Sequence, residues 1–359
     1  MSDEPLVIDG SLGEGGGQIL RTSLGLAAAL WGRGQSPGRA MRIVNIRANR
    51  PKPGLRPQHL ASVNAAAAVA DAQVEGAAID SQALTFTPRG PRSGQYRFEI
   101  GTAGSAMLVF QTVLPALLLA DGDSEVIVTG GTHNPLAPCF EYVRDVVATL
   151  AEAANASVLL KLAQAGFYPV GGGQVRCHVR GLGDRANLAG VQLISRGELR
   201  SVEGLSAVTE SLPEHIVKRQ AGRVRARLRG ESIAGDVALA RLSAASPGTF
   251  VFLRAVFSRS VAGFFALGRR GKPAERVADE AVDELIEFLA AEGAVDPRAA
   301  DQLLTLLALG PARSALTTTR ITQHLLTNAE VIRRVTGREV SIEGAPGEGG
   351  KVTLEAAAG

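Results

Sequence analysis

One order of elements is written three times along this chain, and that repetition constrains the fold more than any other feature. The first copy opens at Ser23 on an alanine-rich apolar stretch (SLGLAAALWG). A β-branched run follows (MRIVNIRA), then a basic, proline-rich loop (NRPKPGLRPQ), a second apolar stretch (HLASVNAAAAVADA) and two short segments (AQVEGAA, ALTFTPRG). The second copy starts near Gly104 (SAMLVFQTVLPALLLA, SEVIVTGG, THNPLAP, CFEYVRDVVATLAEA, ASVLLKLAQ, GGQVRCHVR) and the third near Ala299 (AADQLLTLLALG, SALTTT, RITQH, LLTNAEVIRRVTG, EVSIEGA, GKVTLEAA). Apolar spacing, β-branched content and segment length predict helix, strand, loop, helix, strand, strand in each. Alone, one such unit would leave its apolar helix faces in water. The three are therefore expected to share a pseudo-threefold body of α/β (α+β) class.

Residues 181–279 do not follow the repeat. They hold strand-like pieces (GVQLISRGEL, GTFVFLRAVF, GFFALG) and a basic helix, PEHIVKRQAGRVRARLRG, with Pro213 placed to start it and Gly230 to stop it. The expected organisation is a main domain from 1–180 and 280–359, with a smaller α+β domain, 181–279, inserted between the second and third units.

Charge speaks through its distribution rather than its sum. The net charge is only +3, but Arg42, Arg47, Arg50, Lys52 and Arg56 crowd one segment, and Lys218, Arg219, Arg223, Arg225, Arg227 and Arg229 another. Such clusters either hold phosphates or form solvated faces. Aromatic residues make up 4% of the chain, which argues against a protein that binds RNA by stacking bases, and no standard RNA-binding signature is present. Cys139 and Cys177 offer no zinc-type spacing and no disulfide framework. The N-terminal MSDEPLVIDG lacks a secretory pattern, and the apolar run Val113 to Ala120 is too short to span a bilayer. A cytoplasmic protein with no membrane partner is expected.

Three motifs carry chemistry. Gly13 to Arg21 (GEGGGQILR) puts a glycine run between a strand and a helix, where backbone can approach an anion closely. In Ile46 to Leu60 (IRANRPKPGLRPQHL) three prolines and a glycine stiffen a loop that projects basic side chains, so that little freedom is lost when it grips phosphate. Arg320 to Asn328 (RITQHLLTN) places His324 at the loop-to-helix junction of the third unit, equivalent to the basic loop of the first. A histidine there can act as base, ligand or nucleophile. His59, His133, His178 and His215 are read as structural.

These residues resemble a known family. EGGGQILR, IRANRPKPGLRPQHL, GTAGSAMLVFQTVLPALLLADG, GGTHNPLAP, GFYPVGGGQV, AADQLL and QHLLTN occur in the order found in RNA 3′-terminal phosphate cyclases, over about Val7 to Leu354. The resemblance implies three repeats with an inserted domain, and an ATP-dependent reaction in three steps. His324 takes AMP from ATP, AMP passes to the 3′-phosphate of an RNA end, and the 2′-hydroxyl closes a 2′,3′-cyclic phosphate. It implies Arg21, Arg47 and Arg50 on phosphates and Glu14 on a divalent metal, magnesium or manganese. It also implies a nucleotide pocket drawn from Gln18, Gln58, Gln111, Pro138, Phe265, Arg298, Asp301 and Gln302. One position departs from the pattern: where some members stack a tyrosine on adenine, this chain has Arg298, whose guanidinium plane can also stack. Two other readings fit similar folds: a non-catalytic relative serving ribosome assembly, against which the intact QHLLTN argues, and an enolpyruvyl-type transferase, which would show no covalent AMP after incubation with ATP. A homodimer is compatible with the sequence.

Overall fold

The computed structural model describes residues 4–32 and 39–357. The start of the N-terminal segment read above, Met1 to Asp3, lies outside them. In chain order the first unit holds β1 (Leu6–Asp9), α1 (Gly17–Leu30), β2 (Met41–Val44), α2 (Pro57–Ala70), β3 (Gln73–Glu75) and β4 (Leu84–Thr87). The second holds β5 (Gln95–Glu99), α3 (Ala106–Leu118), β6 (Ser124–Gly130), α4 (Phe140–Tyr142), α5 (Ala148–Ala151), β7 (Val158–Gln164) and β8 (Gly173–Val179). Then come β9 (Gln192–Leu193), β10 (Leu199–Thr209), α6 (His215–Gly230), β11 (Gly235–Leu242), β12 (Thr249–Phe257), β13 (Val261–Leu267) and α7 (Ala274–Ala290). The chain closes with α8 (Pro297–Leu307), β14 (Ser314–Thr318), α9 (Gln323–Thr336), β15 (Val340–Glu343) and β16 (Gly350–Leu354).

The class is mixed α/β, and three of its four-stranded sheets share one wiring. Their orders are β1-β2-β4-β3, β5-β6-β8-β7 and β9-β14-β16-β15. In each, the first strand runs parallel to the second, and the other pairings are antiparallel. A parallel pair needs a crossover, and in the first two sheets α1 and α3 supply it. In the third, the connection from β9 to β14 runs through the whole stretch β10–α7 before α8. GVQLISRGEL, read from sequence as part of the inserted segment, thus supplies the first strand of the third sheet at Gln192–Leu193.

The remaining sheet, β11-β10-β12-β13, is covered by α6 and α7. The buried positions of α6 are Val217, Gln220, Ala221, Val224 and Leu228, a helical stripe, of which Ala221, Val224 and Leu228 join Val277, Ala281, Leu285 and Phe288 of α7 in a second hydrophobic cluster. The main cluster collects α1, α2, α3, α8 and α9 with the inner faces of the first three sheets. Small residues let these helices close up: a Cβ at Gly25 of α1 would lie 2.8 Å from the Thr112 carbonyl oxygen on α3. The alanine-rich composition therefore serves helix contact.

Three local features differ from the sequence expectation. Helix α1 starts at Gly17, ahead of Ser23, because the glycine run ends directly in helix. The strand expected through Ala48 stops at Val44, since Asn45 and Arg47 take φ of 51° and 56° and turn the backbone. Between α4 and α5 the helix widens into a π turn, Val143–Val147. Helix α7 was not anticipated. Among the described residues no helix is long and apolar enough to cross a membrane.

Candidate active site

Helix capping fixes the position of His324. Thr322 is the N-cap of α9, its hydroxyl accepting from the Leu325 amide at 3.1 Å, so His324 falls in the first turn with its ring exposed. Glycines then allow the first unit to reach it. A Cβ at Gly13, which has φ of 52°, would collide with Thr327 Oγ1 on α9, and one at Gly17 would meet His59 Nε2 and Arg21. Only a glycine loop brings Glu14 alongside α9 at this distance.

The result is a chain of polar contacts from the protein interior to the imidazole. Gln18 Nε2 donates to Asp301 Oδ1, and Gln18 Oε1 meets His324 Nδ1. His324 Nε2 lies 3.2 Å from Glu14 Oε2, which also accepts from Arg50 at 3.0 Å. Behind this line, buried Asn328 joins three helices: it accepts from Thr22 Oγ1 at 2.7 Å and donates to the Asp301 carbonyl at 2.8 Å and to Thr305 Oγ1 at 2.9 Å. Leaving one such buried group unpaired costs about 1–3 kcal/mol, so the α1–α8–α9 junction is strongly specified.

The electrostatics are unusual. Arg21 is tightly surrounded by protein although it lines the cleft described below, and burial lowers its pKa to about 10, with Asp301 opposing and Arg47 adding to the shift. Burial, then Arg56 and Arg50, also lowers that of Arg47. His59 is buried and pushed down to about 3, by desolvation first and then by Arg21, Arg47 and Arg56; its Nδ1 accepts from the Arg56 amide at 3.3 Å. The Asp301 carboxyl is pushed up to about 6 by burial, against the pull of His324, Gln18 and Arg21. A cluster of mutually repelling cations is strained until an anion arrives.

A cleft of about 1190 Å³ opens beside this cluster. Gln18, Arg21, Gln111, Asp301, Gln302 and His324 line one side, Pro138 another, and Phe265 with Arg298 the side nearest α7. Gln111 Nε2 donates to Gln302 Oε1 across the α3–α8 contact. Arg298 forms a two-pronged pair with Glu284, both contacts 2.8 Å, and its guanidinium lies 5.1 Å from the Phe265 ring centre. Burial alone would lower its pKa; the hydrogen bonds and charge of Glu284 overcome this and raise it. Cys139 is fully buried, and burial raises its thiol pKa well above the ordinary value, consistent with a packing residue.

The chain was compared with known proteins. The family model described as RNA 3′-terminal phosphate cyclase matches residues 12–342. The chain belongs to the RNA 3′-terminal phosphate cyclase family. Proteins of that name are similar to it: one from Methylococcus capsulatus is 46% identical over 92% of this chain and 90% of its own length. Another, from Hyperthermus butylicus, is 44% identical over 97% and 95%, and a third, from Gloeothece citriformis, is 41% identical over 91% and 92%.

Among the positions the cyclase resemblance pointed to, four stand apart from the cleft wall. Glu14 and Arg50 sit at its rim beside His324. Arg47 donates to the carbonyls of Lys52 and Gly54 in its own loop, at 2.7 and 2.8 Å. Gln58 accepts from the Ser105 amide at 2.9 Å, which ties α2 to the start of α3. Sequence reasoning missed Asn328, Glu284 and the siting of His59. QHLLTN contains Asn328, but nothing local says that it bridges two other helices. Only the adjacency of His59 to RPKPGLRPQ hinted at its setting.

Proposed function

We propose that this enzyme of the cyclase family converts an RNA 3′-terminal phosphate to a 2′,3′-cyclic phosphate through a covalent histidine–AMP intermediate, with ATP as the adenylyl donor. Family membership supports RNA 3′-terminal phosphate cyclase activity; the mechanism and the residue roles are our reading. The observation that carries it is the ordered contact from Asp301 through Gln18 to His324 at the edge of the cleft. Ionised Asp301 accepts from Gln18 Nε2, which turns Gln18 Oε1 toward Nδ1 of His324. That oxygen can only accept, so Nδ1 carries the proton and Nε2 keeps its lone pair.

Nε2 then attacks the α-phosphorus of ATP, the bond to the bridging oxygen breaks, and pyrophosphate leaves. An oxygen of the RNA 3′-phosphate displaces the imidazole and takes AMP. The neighbouring 2′-hydroxyl attacks the activated 3′-phosphorus, AMP leaves, and its proton passes to solvent. A phosphate dianion has no good leaving group; adenylation supplies one, and the nucleophile of the last step sits on the same ribose. Arg21 and Arg50 would receive the charge of the phosphates. Arg47, held to its own loop, would keep that loop in shape and add to the field. Gln111, Pro138, Phe265, Arg298, Asp301 and Gln302 would surround the nucleoside, and Gln58 would act by fixing α3.

No group of three His, Cys, Asp or Glu poised for a metal occurs among the described residues. One carboxylate is nonetheless suited to a cation held mainly by substrate phosphates: Glu14 accepts from Arg50 through Oε2, and its Oε1 has no partner among the described residues. Magnesium or manganese there would neutralise phosphate charge. We also propose that the three like-wired units surround a pseudo-threefold axis, and that the insertion, first read as 181–279, runs from just after β9 to the end of α7.

The test is intact-mass and peptide mass spectrometry after incubation with ATP and magnesium. AMP on the peptide bearing His324 is the expected result, with none in His324→Ala; Gln18→Ala should slow labelling about tenfold or more, as expected when a positioned hydrogen bond to the reacting group is lost. Full labelling of folded His324→Ala would sink the nucleophile assignment.

A further inference from the structure

The walls of the cleft differ in how their charges are satisfied. Along α7, Glu280 is tied to Lys272 and Arg276, Asp283 to Arg227, and Glu284 to Arg298; among the described residues only Glu287 on this wall lacks a partner. Arg269 and Arg320 also line the cleft, but each is exposed and makes no ion pair or side-chain hydrogen bond among the described residues. They stand on separate parts of the chain. Arg269 lies in the turn GRRGKP between β13 and α7, and Arg320 lies between β14 and the cap of α9, four residues before His324. The same turn bounds a second hollow of about 580 Å³, lined by Arg269, Arg270, Lys272 and Arg276. Where Lys272, Arg276, Arg227 and Arg298 are all paired with carboxylates of α7, arginines left open at a cleft mouth call for a partner of their own.

We propose that Arg269 and Arg320 form a two-sided clamp on the backbone phosphates of the RNA strand that leads to the reacting 3′ end, with Arg270 extending the track outward. The proposal rests on the cyclase reading, which places the strand's terminus at His324. A strand ending there leaves through the cleft that both arginines border. Guanidinium groups grip phosphate in two-pronged fashion. With so few aromatic residues in the chain, the grip is on the backbone and independent of sequence.

The clamp is tested on the full-length protein. A short single-stranded RNA with a 3′-phosphate is bound without ATP, by fluorescence anisotropy over a salt series, and self-adenylation by ATP is followed in parallel. For single strands the slope of log K against log salt is about 0.7 per phosphate contact, so Arg269→Ala with Arg320→Ala should lower its magnitude by about 1.4. One decade below 1 M salt this corresponds to binding about 25-fold weaker. Self-adenylation should be unchanged, and Arg219→Ala with Arg223→Ala, which removes paired arginines, should leave the slope alone. An unchanged slope in the clamp variant overturns the proposal. So does an equal fall in the paired-arginine control, which would make the effect one of bulk charge. A raised KM for ATP with an unchanged RNA slope would assign the arginines to the triphosphate instead. Absence of adenylation in the unaltered protein would remove the cyclase reading itself, and the clamp with it.

Discussion

On α6, Arg219, Arg223 and Arg227 face α7, and each meets carboxylates there: Glu275 at 2.7 Å, Asp279 at 2.7 Å, and Asp279 with Asp283 at 2.9 and 2.8 Å. Around the first-unit loop Arg56 is paired with Asp80 and Arg50 with Glu14, but Arg21 and Arg47 make no ion pair among the described residues; with Arg56 they surround a neutral histidine, and Arg21 and Arg47 each have their pKa lowered by burial and by neighbouring cations. In sequence the two clusters look alike. One neutralises itself and joins two helices; the other holds positive charge among buried groups and needs an outside anion to relax. Counting basic residues cannot separate these cases, whereas asking where their counter-charges lie can.

The sharpest way to break the comparison is kinetic. Arg50→Ala should reduce cyclisation of a 3′-phosphorylated RNA about a hundredfold, the usual loss when one donor to developing phosphate charge is removed. Arg223→Ala should leave the rate within about twofold: it is not among the cleft-lining residues and its partner Asp279, at 2.7 Å, belongs to the α6–α7 ladder, whereas the partner of Arg50, Glu14, lies beside His324. Single-turnover assays with both variants check this, and equal losses would erase the distinction.

A second test uses acid. His59 has a pKa near 3 in the folded protein against 6.5 for an ordinary histidine. Below pH 6.5 the unfolded chain takes up a proton that the folded one refuses, so stability is lost as pH falls from 6.5 toward 3. At pH 5 the loss from this group is about 2 kcal/mol, from 1.36 kcal/mol per unit of separation. Denaturant unfolding at pH 7 and pH 5 should show His59→Gln losing about that much less than the unaltered protein. Identical losses in both would mean that burial and the surrounding arginines do not hold His59 neutral.

These contrasts show what sequence could and could not reveal. The helices and most strands of each unit were legible because they follow local periodicity, and the place of His324 at a loop-to-helix junction was legible because the polar RITQH precedes an apolar helical run. Strands β1, β5 and β9 were not assigned to the units, since a parallel edge strand is identified only by the partner it meets beyond a crossover. Gln192–Leu193 is the extreme case, with its partner β14 more than a hundred residues away. The same limit hid α7's role. Glu275, Asp279 and Asp283 recur at helical spacing, but nothing in their own segment says that arginines fifty residues earlier will face them. Asn328 and the Asp301–Gln18–His324 contact were hidden for the same reason, because each is assembled from distant helices.

The smallest expected effect probes the self-neutralised side. Arg227 and Asp279 are among the more sheltered members of the α6–α7 ladder, with side chains 24% and 17% exposed and a contact of 2.9 Å. Asp279 also holds Arg223, and Arg227 also holds Asp283, so each truncation strips one further residue of its partner and leaves the other half-paired. Asp279→Ala and Arg227→Ala should therefore destabilise by similar amounts. A double-mutant cycle on the pair should return a coupling of about 0.5–1 kcal/mol, the upper range for partly exposed pairs, and it should shrink in high salt. Adenylation should not change in any corner of the cycle. A coupling of zero would reduce the ladder to surface decoration and leave the apolar contacts around Ala221, Val224 and Leu228 to join α6 and α7. A loss of adenylation in a variant as stable as its parent would place the ladder within the reaction, and the division between self-neutralised and anion-seeking arginines would have to be redrawn.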